Sequence, residues 1–299
     1  YPTPSGFGIA VATHARTAAR KVVALTAHCS DQNAKLQFTA PLAAKAVEDT
    51  AFYRYGRLLS RNDVGFDAGV LGIDAGTFHG LMQARATQLP RSQLATATHD
   101  HKRGEDVRAR LAVISEMPQI WIDTSERWSV LNAGIRPAGL DPADEYMIYQ
   151  MTVGAWPLGL AADDAVGLEA FATRLSAWSQ KALREGKLRS GWAAPNEAYE
   201  DKAKAFIHAA LTPSRSEGFI ADVVAFVARI ARPGALNGLV QTALRCLAPG
   251  LPDTYQGTEL WDFSLVDPDN RRPVDFGSRR IALAQRLTLD LLAENWRDG

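Results

Sequence analysis

A mainly α-helical fold with a minor parallel α/β part is what this 299-residue sequence predicts. Three observations carry that expectation. Helical patterning fills most of residues 119–248. Only two stretches read as strands, 93–98 and 251–259. The first strand ends in the polar pair His99-Asp100 and opens into a charged helical run from Glu105, the strand–loop–helix order of α/β units.

Residues 1–40 carry the least pattern: Ala10–Cys29 has helical composition, rich in Ala and Arg, without a clean apolar stripe. Ala43–Leu59 predicts a helix, with Val47, Phe52, Tyr55 and Leu59 near i, i+4 spacing. Asp74–Leu89 is a second helix closed by Pro90, and Glu105–Glu116 a third that Pro118 stops. Asp141-Pro142 joins a cap to a proline at the first helical position, the favoured order for a start. Ala165–Arg184 carries the stripe Leu168, Phe171, Leu175, Trp178 and Leu183. Asn196–Leu211 and Glu217–Ala231 repeat that style, with Pro213 and Pro233 as breakers. Gly191–Pro195 is a loop, and Leu236–Leu247 an apolar helix ended by Pro249-Gly250. Val266–Pro273 is turn-like and Arg279–Asn295 a last helix. The chain thus divides into 1–40, 41–118 with the His-Asp strand end, 119–248, and 249–299.

Lysine plus arginine equals aspartate plus glutamate, 33 each, so the net charge is zero and no partner in nucleic acid or anionic membrane is expected. Cys29 and Cys246 match neither a disulfide framework nor a metal spacing, which fits a reducing, cytoplasmic compartment. No apolar run approaches the roughly 20 residues of a membrane span, and no signal-peptide pattern opens the sequence. The length suits one large domain or two ordinary ones.

Asp100 is the leading candidate for chemistry. A carboxylate at the C-terminal end of a parallel strand, beside an imidazole, can grip vicinal sugar hydroxyls and stabilise positive charge at an anomeric carbon. The alternative is a helix cap. His99 and His101 share one face of a strand, as two metal ligands would, but no third ligand stands out, so no metal and no cofactor are expected. Lys45, Glu48, Asp49, Tyr53 and Tyr55 form a dense polar and aromatic cluster, suited either to sugar binding or to a solvated face with a Lys45–Glu48 ion pair. After the apolar helix, Gly250–Trp261 sets Tyr255, Gln256 and Glu259 on a restricted backbone, where they could line a cleft; Glu259 could instead pair with a nearby arginine. Trp156, Trp192 and Trp261 read as core or lid residues.

The segments Ala44–Tyr55, Ala97–Arg110 and Asp253–Asp275 closely resemble the maltooligosyltrehalose synthases, a family of the α-amylase superfamily. The three motifs occur in the family's order, and the run ELWDFSLVDPDNRRPVDF at 259–276 is the most specific. The resemblance implies a fragment of a (β/α)8 barrel, with 93–98 as its seventh strand, 251–259 as its eighth and 119–248 as a helical insertion. It implies intramolecular transglucosylation of a maltooligosaccharide, the reducing-end α-1,4 linkage becoming α,α-1,1 through a retaining mechanism. Asp100 would be the transition-state stabiliser and His99 its neighbour on the −1 glucose. Lys45, Glu48 and Lys102 would shape the reducing-end subsites, with Tyr53 and Tyr255 beside the sugar. The chain departs from the family at Ala46, His101 and Gly104, where Gly, Thr and Ser are usual.

Family members are much longer, and their nucleophile and acid/base carboxylates lie upstream of these motifs. No segment of residues 1–40 supplies them, so this chain is expected to be a fragment that is inert alone. Open strand edges are expected to drive self-association into a homo-oligomer. Two other readings compete: a non-catalytic helical carbohydrate-binding or interaction module, and another glucanotransferase or hydrolase of the superfamily.

Overall fold

The computed structural model describes residues 41–42, 44–67, 69–285 and 288–294. Ala10–Cys29 and residue 295 lie outside them. Nine α-helices and two short strands follow in order among the described residues: α1 (Ala75–Gln88), β1 (Gln93–Ala95), α2 (Glu105–Ala112), α3 (Pro118–Leu131), α4 (Pro142–Gly154), α5 (Ala165–Gly186), α6 (Glu197–Ala210), α7 (Pro213–Leu247), β2 (Leu251–Asp253), α8 (Phe276–Ala284) and α9 (Leu289–Glu294). The architecture is therefore mostly helical with a small parallel sheet, β1 pairing with β2 in the register Gln93↔Leu251, Leu94↔Pro252 and Ala95↔Asp253.

Most helix starts follow local chemistry. Asp74, Asp141, Asp164, Asn196 and Asp275 each accept a backbone N–H of the first turn, satisfying donors that the helix itself leaves open. Pro118, Pro142 and Pro213 occupy first helical positions, where no N–H is needed.

The core is an aromatic stack between α3, α4, α6 and α7. Trp128 is fully buried and meets Trp121, Tyr149, Phe219 and Phe226 at centroid distances of 5.6, 5.5, 5.4 and 5.7 Å. Its Nε1 donates to Asp222 at 2.7 Å. The amphipathic stripe of α5 (Leu168, Phe171, Leu175) completes the cluster from the other side.

Helix α2 is buried along its whole length from Glu105 to Leu111, charged residues included. It passes so close to its neighbours that glycine is required opposite: a Cβ on Gly154 would stand 2.8 Å from Leu111 Cγ, and one on Gly234 2.8 Å from Arg110 Cα.

Four sequence expectations are corrected. Ala43–Leu59 is not one helix but a π-type turn at Ala44–Glu48 and 3-10 turns at Ala51–Tyr53 and Leu59–Arg61. Asn62 Nδ2 takes the carbonyls of Phe52 and Tyr55, at 3.0 and 2.5 Å, away from any helical ladder. The strands at 93–98 and 251–259 stop after three residues each. Pro233 does not break α7, which runs on past it and bends instead at Ser216, φ −143°. The last helix is two, α8 and α9. Among the described residues, no helix is long and apolar enough to cross a membrane.

Candidate functional site

The polypeptide leaves β1 at Thr96 and makes a turn through residues 98–103 before entering α2. Contacts from two sides fix that turn. Asp63, itself buried, accepts Lys102 N at 2.9 Å, Arg103 N at 3.2 Å and Arg108 Nη1 at 3.0 Å. Gly104 N donates to Ser264 O at 2.8 Å, next to an antiparallel bridge between Arg103 and Leu265. A Cβ at Gly104 would lie 2.6 Å from Asp262 O, so glycine at this position lets the 262–264 segment close onto the turn.

On this frame stands a charged group. Lys102 Nζ is buried, its side chain 2 % exposed, and lies 2.5 Å from Asp49 Oδ1 and 3.4 Å from Asp100 Oδ1. The other Asp49 oxygen pairs with Lys45, which reaches in from solvent. Burial pushes the Asp49 carboxyl up, but hydrogen bonds from Lys102 and Lys45 more than offset it and hold it below its ordinary value. The hydrogen bond to Asp49 in turn raises Lys45. Asp100 keeps 56 % of its side chain in solvent. It does not cap α2: the capping position is Gly104, which has no side-chain bond to offer.

The other sequence candidates are placed unevenly. His99 is exposed and its carbonyl accepts Asn270 Nδ2 at 3.1 Å. Tyr255 is half-buried, edge-on to the His101 ring at 5.7 Å, and its hydroxyl donates to Asn270 O at 3.4 Å. Glu48 accepts Gly65 N at 2.9 Å instead of pairing with Lys45. Tyr53 is 4 % exposed and belongs to the hydrophobic core, where burial drives its hydroxyl pKa far up. Lys102 and Asp100 thus meet directly, Lys45 joins them through Asp49, and Tyr255 reaches the turn through His101 and Asn270, the latter also holding the His99 carbonyl. Tyr53 makes no hydrogen bond to any of them. Glu259 pairs with Arg279 at 2.8 Å on the surface. Trp156 is buried, whereas Trp192 is exposed with Arg184 over its ring at 5.0 Å.

Asp49 belongs to the polar cluster of 45–55 but is not a candidate there, although Lys45 and Asp49 have the i, i+4 spacing of an ion pair. Ser264 and Asn270 lie in the specific run 259–276 without being singled out there, and Asp63 carries no local signal; only the fold brings the three to the turn. Among the described residues, no three His, Cys, Asp or Glu side chains gather to hold a metal ion.

Comparisons with known proteins give one consistent result. No protein-family model matches the chain. A Mycobacterium tuberculosis protein described as "Putative maltooligosyl trehalose synthase" is 40% identical over 248 residues, which is 83% of this chain and 30% of that protein. The structure of maltooligosyltrehalose synthase from Arthrobacter ramosus superposes with a TM-score of 0.72 at 36% identity, covering 88% of this chain and 33% of that one. A further crystal structure of a maltooligosyl trehalose synthase gives a TM-score of 0.77 at 35% identity, over 89% of this chain and 35% of that one. The chain therefore belongs, as a stretch much shorter than these relatives, to the maltooligosyl trehalose synthase family.

Proposed function

We propose that the turn after β1 forms part of a glucan site, and that this stretch of chain contributes one of the catalytic carboxylates of intramolecular transglucosylation. The observation that carries the reading is the Lys102 ammonium set between Asp49 and Asp100 where the parallel strands end. In this reading β1 and β2 are the last two strands of a (β/α)8 barrel, whose C-terminal strand ends are where catalytic groups converge.

Asp100 presents a carboxylate to solvent with one oxygen near Lys102 and the other free for a sugar. As the α-1,4 bond at the reducing end breaks, positive charge grows on the anomeric carbon, and an ionised Asp100 facing it lowers that barrier. The released terminal glucose then turns and offers its O1 hydroxyl to the same carbon, so that an α,α-1,1 bond replaces the α-1,4 bond with no net loss of water. Lys45, Lys102 and Glu48 hold the hydroxyls of the departing and returning glucose, and His99 and Tyr255 flank it.

The nucleophile and the acid that the covalent route needs are assigned to other parts of a longer protein. The 299-residue chain incubated with maltopentaose at high concentration is therefore expected to give no trehalosyl product; formation of that product overturns the assignment. In a longer protein carrying these residues with a nucleophile and an acid, Asp100→Asn is expected to cut turnover by orders of magnitude with little change in binding. Near-normal turnover removes Asp100 from the catalytic set.

A further inference from the structure

His101 lies at the centre of the turn with 2 % of its surface exposed. Both ring nitrogens are engaged, and the backbone amide at Nδ1 fixes the tautomer. Nδ1 faces Thr98 N at 3.2 Å. A backbone amide can only donate, so Nδ1 accepts, and the proton of a neutral ring is on Nε2. Nε2 points at Ser264 Oγ, 3.4 Å away, and has Asn270 Nδ2 at 3.5 Å, an amide that donates to His99 O at 3.1 Å. Ser264 Oγ donates its own proton to Asp262 Oδ2 at 2.7 Å, which leaves its lone pairs for Nε2–H. The polarity therefore runs in one direction, from His101 through Ser264 to Asp262.

The two ends of this arrangement belong to different parts of the chain. Thr98 is on the Asp100 turn, and its Oγ1 accepts Asp100 N at 3.2 Å. Asp262 and Ser264 follow β2, and Asp262 N is anchored on the buried Asp106 carboxylate of α2 at 2.8 Å. We propose that neutral His101, as the Nε2–H tautomer, is a positioning residue that ties the Asp100 turn to the 262–270 segment and so sets where the Asp100 carboxylate stands. The role of Asp100 rests on the function proposed above; the tie itself does not.

Acid should release the tie. Imidazolium has a proton on Nδ1 as well, which would set donor against donor at Thr98 N. The charged groups facing the ring are Asp63 on the 59–64 segment, Arg108 on α2 and Asp262 after β2, with Asp100 and Lys102 flanking it in sequence. Burial is the largest influence and, with Arg108, outweighs the two carboxylates and the Thr98 backbone hydrogen bond, so the imidazole is held below its ordinary value. The folded protein then prefers the neutral ring. Stability falls as pH drops through the unfolded imidazole value towards the lower folded one, and the turn loosens at the lower end of that window.

The test is ¹⁵N NMR of the 299-residue chain as wild type, His101→Asn and His101→Leu across an acid titration. Asparagine can place Oδ1 where Nδ1 stands and accept from Thr98 N without titrating; leucine can do neither. Expected at neutral pH is a pyridine-type Nδ1 with a pyrrole-type Nε2, and on acidification the Thr98 and Asp100 amide signals should move together with the ring. His101→Asn should hold those amides at their neutral positions throughout, and His101→Leu should displace them at every pH. A protonated Nδ1 at neutral pH, or a His101→Asn titration of these amides that matches wild type, overturns the proposal, and both readouts stand if His101→Leu fails to fold. Maltopentaose added at neutral pH should shift the Asp100 and Lys102 amides. If it does not, the glucan reading fails while the tautomer result still decides the tie.

Discussion

The helices packed around Trp128 and the turn packed around Asp63 are held by opposite means. In the first region, rings close on rings with few polar atoms between them. In the second, buried charges close on one another: Asp63 with Arg108, Lys102 with Asp49, and Glu105 with Arg245 at 3.3 Å. Aromatic packing is a sum over many small contacts, so its failure is gradual and global. A buried ion pair contributes little over an apolar replacement, yet removing one partner strands the other. The difference teaches that the helical part supplies the stability, while the charged part spends some of it to hold Asp100 and Lys102 in place.

The largest expected effect tests the first half of that comparison. Trp128→Ala should cost about 3–5 kcal/mol, as for other fully buried aromatics, seen as a lower denaturant midpoint for the whole chain. A loss under about 1 kcal/mol would mean that the aromatic stack is not the main source of stability. The second half is sharpened at Asp106. Burial pushes its carboxyl up to about 6, against the hydrogen bond from Asp262 N and the attraction of Arg110. Because the folded value exceeds the unfolded one, the folded state binds more protons between the two. Stability is then fully present in acid and lost as pH rises through about 6, by up to about 3 kcal/mol at neutral pH. Asp106→Asn keeps an acceptor for Asp262 N and removes the charge. Denaturant titrations should find it more stable than wild type at pH 8 and close to wild type at pH 4. An equal loss at both values would show that the carboxylate supports the fold rather than straining it.

The same contrast explains what could be read from the residues alone. Capped starts such as Asp74, Asp141 and Asn196, and the stripe of α5, are local signals, and the structure follows them closely. At 43–59 the helical spacing was present, but distant partners won: Asn62 takes two carbonyls, and Arg54 Nε bonds to Gly186 O from the end of α5. Pro233 removes one helical bond, which is tolerable where Gly234 lets α7 lie against Arg110. The charged composition of α2 carries no sign of its burial, and only the fold reveals that its charges are bonded inside. In the site, the strand-end position of Asp100 and Lys102 was legible because it is a matter of sequence order. Asp63 was not, since a lone aspartate 39 residues from Lys102 in sequence carries no mark of the turn it pins.

The smallest stability effect belongs to the sheet side, and it separates folding from association. β1 and β2 pair only with each other among the described residues, so each keeps an open edge. Beside them α7 presents Val240, Leu244 and Leu247 to solvent, the last 83 % exposed, and Leu251 of β2 continues the patch. An apolar surface of this kind next to unpaired strand edges favours contact with a second copy. Sedimentation of the 299-residue chain should show mass increasing with concentration. Val240→Glu combined with Leu247→Glu should return it to monomer while moving the unfolding midpoint by no more than about 0.5 kcal/mol, because both side chains are mostly in solvent. A wild-type chain that stays monomeric across the concentration range would remove self-association. A double variant that unfolds would instead show that this face belongs to the folded core, and that the boundary between the two regions lies elsewhere than at β1 and β2.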